Sequence, residues 1–423
     1  MTPSNPSLLS RKLKNEEDKA LAIALSKAAP LQVHRKTDYL PMVDQLSEIY
    51  SELAQSRKEN EKQLRKPEEV RKHLDAIILD LWIAAKYHES PWRRISLNGN
   101  DYSKERRYSE KFLTYDLLGG VLEDIELLEY IEKSDYFHDR QSKKNSRQTR
   151  IKATDKLLNK LDFDIKKIER NPEVPEQEVI IKRGEDKSKK NINYIDDRFT
   201  IKMRENLHKY NNLLRKTSFS MNGVDLRYKY DTTSITVKRI FNGEAGGGGR
   251  FYYGFWENMS EEDRSKLQIN NEEVCELDYA NFQPRIVYAR KGIKTEEDLY
   301  TIEGCKRDEV KKAFLVLFNC RSREHALSTI RRKGIKNAES LLQKIELKHD
   351  GIRRSFYNPR FGLYLQRIDS NIAEKIINNF TSKGIPCLPI HDSFIIAKSY
   401  ESELRSVMEE VFYKYFHFKP KIK

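Results

Sequence analysis

Three short stretches hold residues whose types and spacing could do chemistry. Glu276–Arg285 reads Glu-Leu-Asp-Tyr-Ala-Asn-Phe-Gln-Pro-Arg and carries Asp278. Arg307-Asp308-Glu309-Val310-Lys311 places two cations four residues apart. Ile390-His391-Asp392-Ser393-Phe394 sets a second aspartate between apolar runs. Two carboxylates brought together from separate strands repel each other. A divalent cation removes that penalty, and hard oxygen donors favour Mg²⁺ or Mn²⁺. Arg307 and Lys311 fall on one helical face, where they can grip a triphosphate and neutralise its charge. Taken singly, each stretch has a plainer meaning: a strand-end aspartate is most often a cap, and a basic helical pair is most often a solvated face.

The elements that must position these groups can be read around them. Val274–Tyr279 has the composition of a strand, ending beside Asp278. Leu388–Ala397 reads as a hairpin with His391 and Asp392 at its tip. Arg307–Asn319 reads as a helix that presents Arg307, Lys311, Leu315 and Asn319 on one face and buries Val310, Ala313, Phe314 and Leu317 on the other. Gly246–Gly249 is not followed by Gly-Lys-Ser or Gly-Lys-Thr, which excludes a P-loop. It reads instead as a tight turn ahead of Arg250, which could meet a phosphate.

The N-terminal half carries no comparable constellation. Residues 1–65 form a charged helical arm with amphipathic runs at Lys14–Ala29 and Tyr39–Lys62, whose apolar faces need a partner from this chain or another. Pro67-Glu68-Glu69 starts a helix that runs to Lys86. Residues 66–164 are a second region, 165–238 read as a linker with one helix, Asp196–Lys216, and 239–423 hold the candidate site. The net charge of +14 over 423 residues points to a polyanion such as DNA. The four cysteines form no Cys-x-x-Cys pair, which argues against a zinc knuckle or disulfide framework. No membrane-length apolar run and no leader-like start is evident, so a cytoplasmic protein is expected.

Two resemblances bear on this pattern. Phe112–Leu161 resembles a winged helix-turn-helix: helix Thr114–Leu128, strand Tyr130-Ile131, a basic loop, strand Thr149–Ile151, then a helix opening at Thr154. The loop bases Arg140, Lys143, Lys144 and Arg147 would be the DNA-binding wing, with a recognition helix in the major groove. Arg239–Lys398 resembles the palm and fingers of family A DNA polymerases and their single-subunit RNA polymerase relatives. Asp278–Arg285 is similar in register to their first motif, Arg307 and Lys311 to the second, and His391-Asp392-Ser393 to the third in its RNA-enzyme form. The fold class expected is therefore α+β: a helical, winged-helix-like N-terminal half and a minimal right-hand palm with short fingers.

The polymerase resemblance implies roles residue by residue. Asp278, Asp392 and the Tyr279 carbonyl would hold two Mg²⁺ or Mn²⁺ ions. Arg307, Lys311, Gln283, Leu315 and Asn319 would form the nucleotide site. His391, Gln366 and Arg285 would contact the primer or duplex. The chain departs from the family pattern at Gln283, where a glutamate is usual, at Asn319, where a tyrosine is usual, and at Leu315, where an aromatic often stands. The Asp196–Lys216 helix would be a reduced thumb. The function implied is primer extension from dNTPs on a DNA template. Ribonucleotide-tolerant primer synthesis (from NTPs) and untemplated nucleotide addition are the enzymatic alternatives. A DNA-binding regulator or replication initiator with a degenerate palm is the non-enzymatic one. Self-association or a protein partner is expected, if anywhere, at the N-terminal helices.

Overall fold

The computed structural model describes residues 16–103, 107–109, 111–134, 148–184, 190–221, 224–226, 232, 235–243, 246–295 and 297–423. The protein is mixed α+β, and the chain divides into two compact units, 1–177 with 226–234, and 178–225 with 235–423. Among the described residues no helix is long and apolar enough to cross a membrane.

The first unit contains α1 (Glu16–Ser26), β1 (Ala29–Pro30), β2 (Arg35–Lys36), α2 (Leu40–Glu59), α3 (Pro67–Tyr87), β3 (Arg93–Ile95), α4 (Tyr115–Leu127), β4 (Ile131–Ser134), β5 (Thr149–Ala153), α5 (Asp155–Leu158) and β6 (Glu169–Arg170). α3 is the spine. Pro67 occupies its first turn and Glu68 and Glu69 sit where the helix dipole favours anions. Val70, Leu74, Ile77, Ile78, Leu81 and Trp82 are all buried, so α3 packs on nearly every side, against α2, α4 and β5. β3, β5 and β4 form an antiparallel run, with β1 parallel on the outer side of β3. Arg140, Lys143, Lys144 and Arg147 lie outside the described residues.

The second unit contains β7 (Ile180–Arg183), α6 (Arg198–Lys216), β8 (Phe219–Met221), β9 (Val224–Asp225), β10 (Lys238–Asn242), β11 (Gly247–Tyr252), α7 (Glu261–Ser265), β12 (Leu267–Ile269), β13 (Glu272–Asp278), α8 (Phe282–Arg290), α9 (Arg307–Leu317), α10 (Arg323–Arg332), α11 (Ala338–Lys348), α12 (Pro359–Ser382), β14 (Leu388–Ile390), β15 (Ser393–Ala397) and α13 (Glu401–Phe416). Its main sheet has the order β14-β15-β13-β12-β8-β9, and a second sheet has the order β11-β10-β7. α12 lies along β11 and also packs on α13. A helical layer closes around Phe314, Phe318, Phe356 and His349, whose rings meet edge to face.

One expectation for residues 165–238 is corrected. The stretch is more than a linker, because β7 pairs in parallel with β10 while β8 and β9 extend the main sheet. α6, the helix expected as a reduced thumb, packs on the rest of its unit. Its Tyr210 hydroxyl donates to the Cys387 carbonyl at 2.7 Å, and the Asn211 amide donates to and accepts from the Val237 backbone. Asp197 caps α6 through a capping box with Thr200.

Candidate active site

Asp278 is the last residue of β13 and pairs in register with Ser393, the first residue of β15. His391 and Asp392 form the two-residue turn between β14 and β15. His391 takes φ +56, a left-handed conformation that lets so short a turn close. The expected hairpin and strand thus bring the two aspartates to one end of the sheet. The Tyr279 amide donates to the Asp392 carbonyl at 3.3 Å. In an extended strand a residue's N–H and C=O point the same way, so the Tyr279 carbonyl also lies on the Asp392 side. On the opposite edge, Asp278 and Ala280 pair with the backbone of Lys423 and Lys421.

Tyr279 is held from below. Its ring stacks on Phe282 at 4.7 Å, and its hydroxyl donates to the Met408 carbonyl at 2.7 Å. Asn281, at φ +55, then turns the chain from strand into α8. Ser393 is buried and donates to Glu276 Oε1 at 2.8 Å, and Glu276 in turn accepts from Arg264. The serine of the third stretch is therefore occupied with bracing the sheet.

The electrostatics of the two aspartates are unusual. Burial, then the Asp392 charge, push the Asp278 carboxyl up to about 7, while Lys311 and Lys423 pull it down. Burial also raises Asp392, against the pull of Arg250 and Lys311. Partial desolvation, then Arg250, hold the exposed His391 imidazole down at about 4, so it is neutral at pH 7. The charge of Lys311 acts on both aspartates, which puts this residue of α9 within electrostatic reach of the sheet end. Val310, Ala313, Phe314 and Leu317 are buried on the other face, as the spacing predicts.

The remaining expected residues are less uniform. Arg307 donates from Nε to Asp298 Oδ2 at 2.7 Å, which holds the Asp298 carboxyl low although burial pushes it up. Gln283 is half-buried on the first turn of α8, and Leu315 is half-buried on α9. Asn319 is exposed just past α9, and its amide donates back to the Leu315 carbonyl. Its oxygen fills the space beside Gly362, where a Cβ would meet it at 2.3 Å. Gln366 lines a cavity of 830 Å³ together with Tyr252, Tyr253, Asn242, Arg183 and Arg360. Arg285 is a correction. It is 3% exposed and donates to the carbonyls of Ala280, Thr295 and Glu297, so it clamps backbone and does not reach a duplex.

Three residues escaped the sequence reading or were underweighted. Arg250 donates to Asp369 Oδ2 at 2.8 Å, and its charge acts on both His391 and Asp392. Gly249 makes this possible. It is the extra residue of a bulge between β10 and β11, has φ +82, and a Cβ there would strike the Phe241 ring at 2.3 Å. Asp369 is buried on α12; burial, then the pull of Arg250 and the push of Asp392, leave it near 6. Tyr300 is buried beneath Arg307, 5.6 Å from ring centre to guanidinium carbon. Burial, then the Asp392 charge, push its phenol up. The only sequence signal for any of these was the glycine run before Arg250.

The oxygen donors present suit a hard cation: two carboxylates at one sheet end, one of them pushed up to about 7 by burial and by its neighbour's charge, and a backbone carbonyl on the same edge. Among the described residues no group of three or more His, Cys, Asp or Glu is arranged to hold a metal ion, so backbone, substrate or water would complete the coordination. No protein-family model and no curated protein matches this chain.

Proposed function

We propose that the second unit is a template-directed nucleotidyltransferase, extending a primer from dNTPs. The observation that carries this reading is the convergence of three separate stretches. Asp278 and Asp392 crowd each other at one sheet end, and the Lys311 charge from α9 acts on both. Asp278, Asp392 and the Tyr279 carbonyl would hold divalent ions, which when bound supply Lewis acidity at the attacking and leaving oxygens. Lys311 neutralises charge on the departing pyrophosphate, and Arg307 orients the phosphates. Neutral His391, at the turn, is suited to a hydrogen bond with the primer terminus. The amides and arginines around Gln366 suit the duplex behind it.

For the first unit, the helix–strand–helix–strand–strand order supports a winged-helix-like reading. Its chemistry does not support a major-groove reader. α4, in the position of the recognition helix, carries Asp116, Glu123, Asp124 and Glu126 and no lysine or arginine. Among the described residues, lysines close to the hairpin are already paired: Lys133 with Glu126, Lys152 with Glu132 and Lys156 with Glu129. DNA contact through this unit would fall to the loop bases, and a protein-docking role fits α4 better.

The test is extension of a labelled primer with Mg²⁺ or Mn²⁺, offering dNTPs or NTPs, on templated and untemplated DNA. Templated extension that disappears in the Asp278→Ala/Asp392→Ala protein is the expected result. Untemplated addition would replace the reading with terminal transfer. Absence of incorporation that depends on the aspartates would leave a DNA-binding protein.

A further inference from the structure

Arg285 and Arg307 both bind one short segment of chain. Arg285, buried, donates to the Thr295 and Glu297 carbonyls. The next residue, Asp298, offers Oδ2 to Arg307 Nε at 2.7 Å, while its Oδ1 accepts the Tyr300 amide at 2.9 Å. The first arginine fixes the backbone that delivers a carboxylate to the second. The Tyr300 ring forms the floor beneath that pair. A carboxylate oxygen presents the same charge and acceptor geometry to a guanidinium as a phosphate oxygen does. The Arg307 and Asp298 side chains are 40% and 34% exposed, so the pair is open to solvent and to exchange.

We propose that Asp298 is an internal stand-in for phosphate, which occupies Arg307 until a nucleoside triphosphate displaces it and so sets the affinity of triphosphate capture. This rests on the reading of Arg307 as a phosphate ligand. Asp298 acts through Arg307 and is a positioning residue. In the free protein it keeps the guanidinium over Tyr300, and it costs the incoming phosphate the exchange of one anion for another. Because an open ion pair is weak, the cost is small and salt-sensitive. Any ligand that takes Arg307 meets the same cost, and any ligand that ignores Arg307 meets none.

The experiment measures equilibrium binding of dATP with Mg²⁺, of pyrophosphate with Mg²⁺, and of primer–template DNA, to the full chain and to Asp298→Asn and Asp298→Glu. An asparagine oxygen still accepts the Tyr300 amide, so the turn survives, and an unchanged melting temperature checks this. Asp298→Asn is expected to bind dATP and pyrophosphate tighter by the same factor, about two- to fivefold. Asp298→Glu is expected to behave like the parent, and DNA affinity is expected to stay constant. Unchanged or weaker dATP binding by Asp298→Asn would overturn the proposal and make Asp298 a strut that Arg307 needs. A gain for dATP but not for pyrophosphate would overturn it too, by placing the effect on base or sugar. No dATP or pyrophosphate binding by any of the three proteins would contradict the phosphate role of Arg307 itself, and this inference with it.

Discussion

Buried charge is handled in opposite ways in the interior of the first unit and at the β13–β15 sheet end of the second. In the first, carboxylates brought into the interior are met by cations. Asp80 is fully buried between Arg35 and Arg93, and Asp124 is paired with Arg57 at 2.6 Å. In the second, the charges of Asp278 and Asp392 oppose each other at one sheet end, neither makes an ion pair among the described residues, and Arg250 pairs with Asp369 instead. Folding alone would select against such crowding, because each desolvated carboxylate raises the cost of charging the next. A matched buried charge speaks for structure. A mismatched one, at the end of a sheet with a lysine's charge acting on it, speaks for a ligand that completes it.

The sharpest way to break that contrast is Asp80→Ala. It leaves two buried guanidiniums without their shared carboxylate, and the cost should be about 3–5 kcal/mol in urea unfolding of the first unit. A loss under about 1 kcal/mol would mean that the pairs are incidental. Next is Lys311→Met, which removes the cation shared by both aspartates. It should lower kcat/KM for incorporation by about 10²-fold, or ~3 kcal/mol, with little change in melting temperature.

The smallest effect depends on pH. Asp278 titrates near 7 when folded, above its unfolded value, so between those two values the folded state holds the extra proton. Stability therefore falls as pH rises through that window, and the penalty is fully present above about pH 7. Asp278→Asn should stabilise the metal-free protein by ~1–2 kcal/mol at pH 8, discounted for partial exposure, and by nothing near pH 4. Thermal melts at the two pH values check this. Equal gains at both would mean packing, not charge.

Elements with a strong period were legible in the sequence. α3 and α9 announce their buried faces through spacing, and the strand and hairpin carrying the aspartates announce themselves through apolar flanks. β7 was not legible: it has four residues, borders a charge run, and pairs with a strand nearly sixty positions later. The Arg250–Asp369 pair joins residues 119 apart, which no local pattern records. Arg285 misled because an arginine at a helix start usually reaches solvent. Here three backbone carbonyls close around it, and only the folded chain supplies them.

The central claim, that the crowded aspartates await a divalent cation, is tested most directly by Mn²⁺ binding, read by electron paramagnetic resonance at pH 6.0 and 7.5. The account predicts a bound ion whose affinity rises about tenfold per pH unit below 7, as the Asp278 proton is displaced, and that is lost in Asp278→Asn/Asp392→Asn. Mn²⁺ binding that ignores pH, or that survives the double substitution, would contradict it.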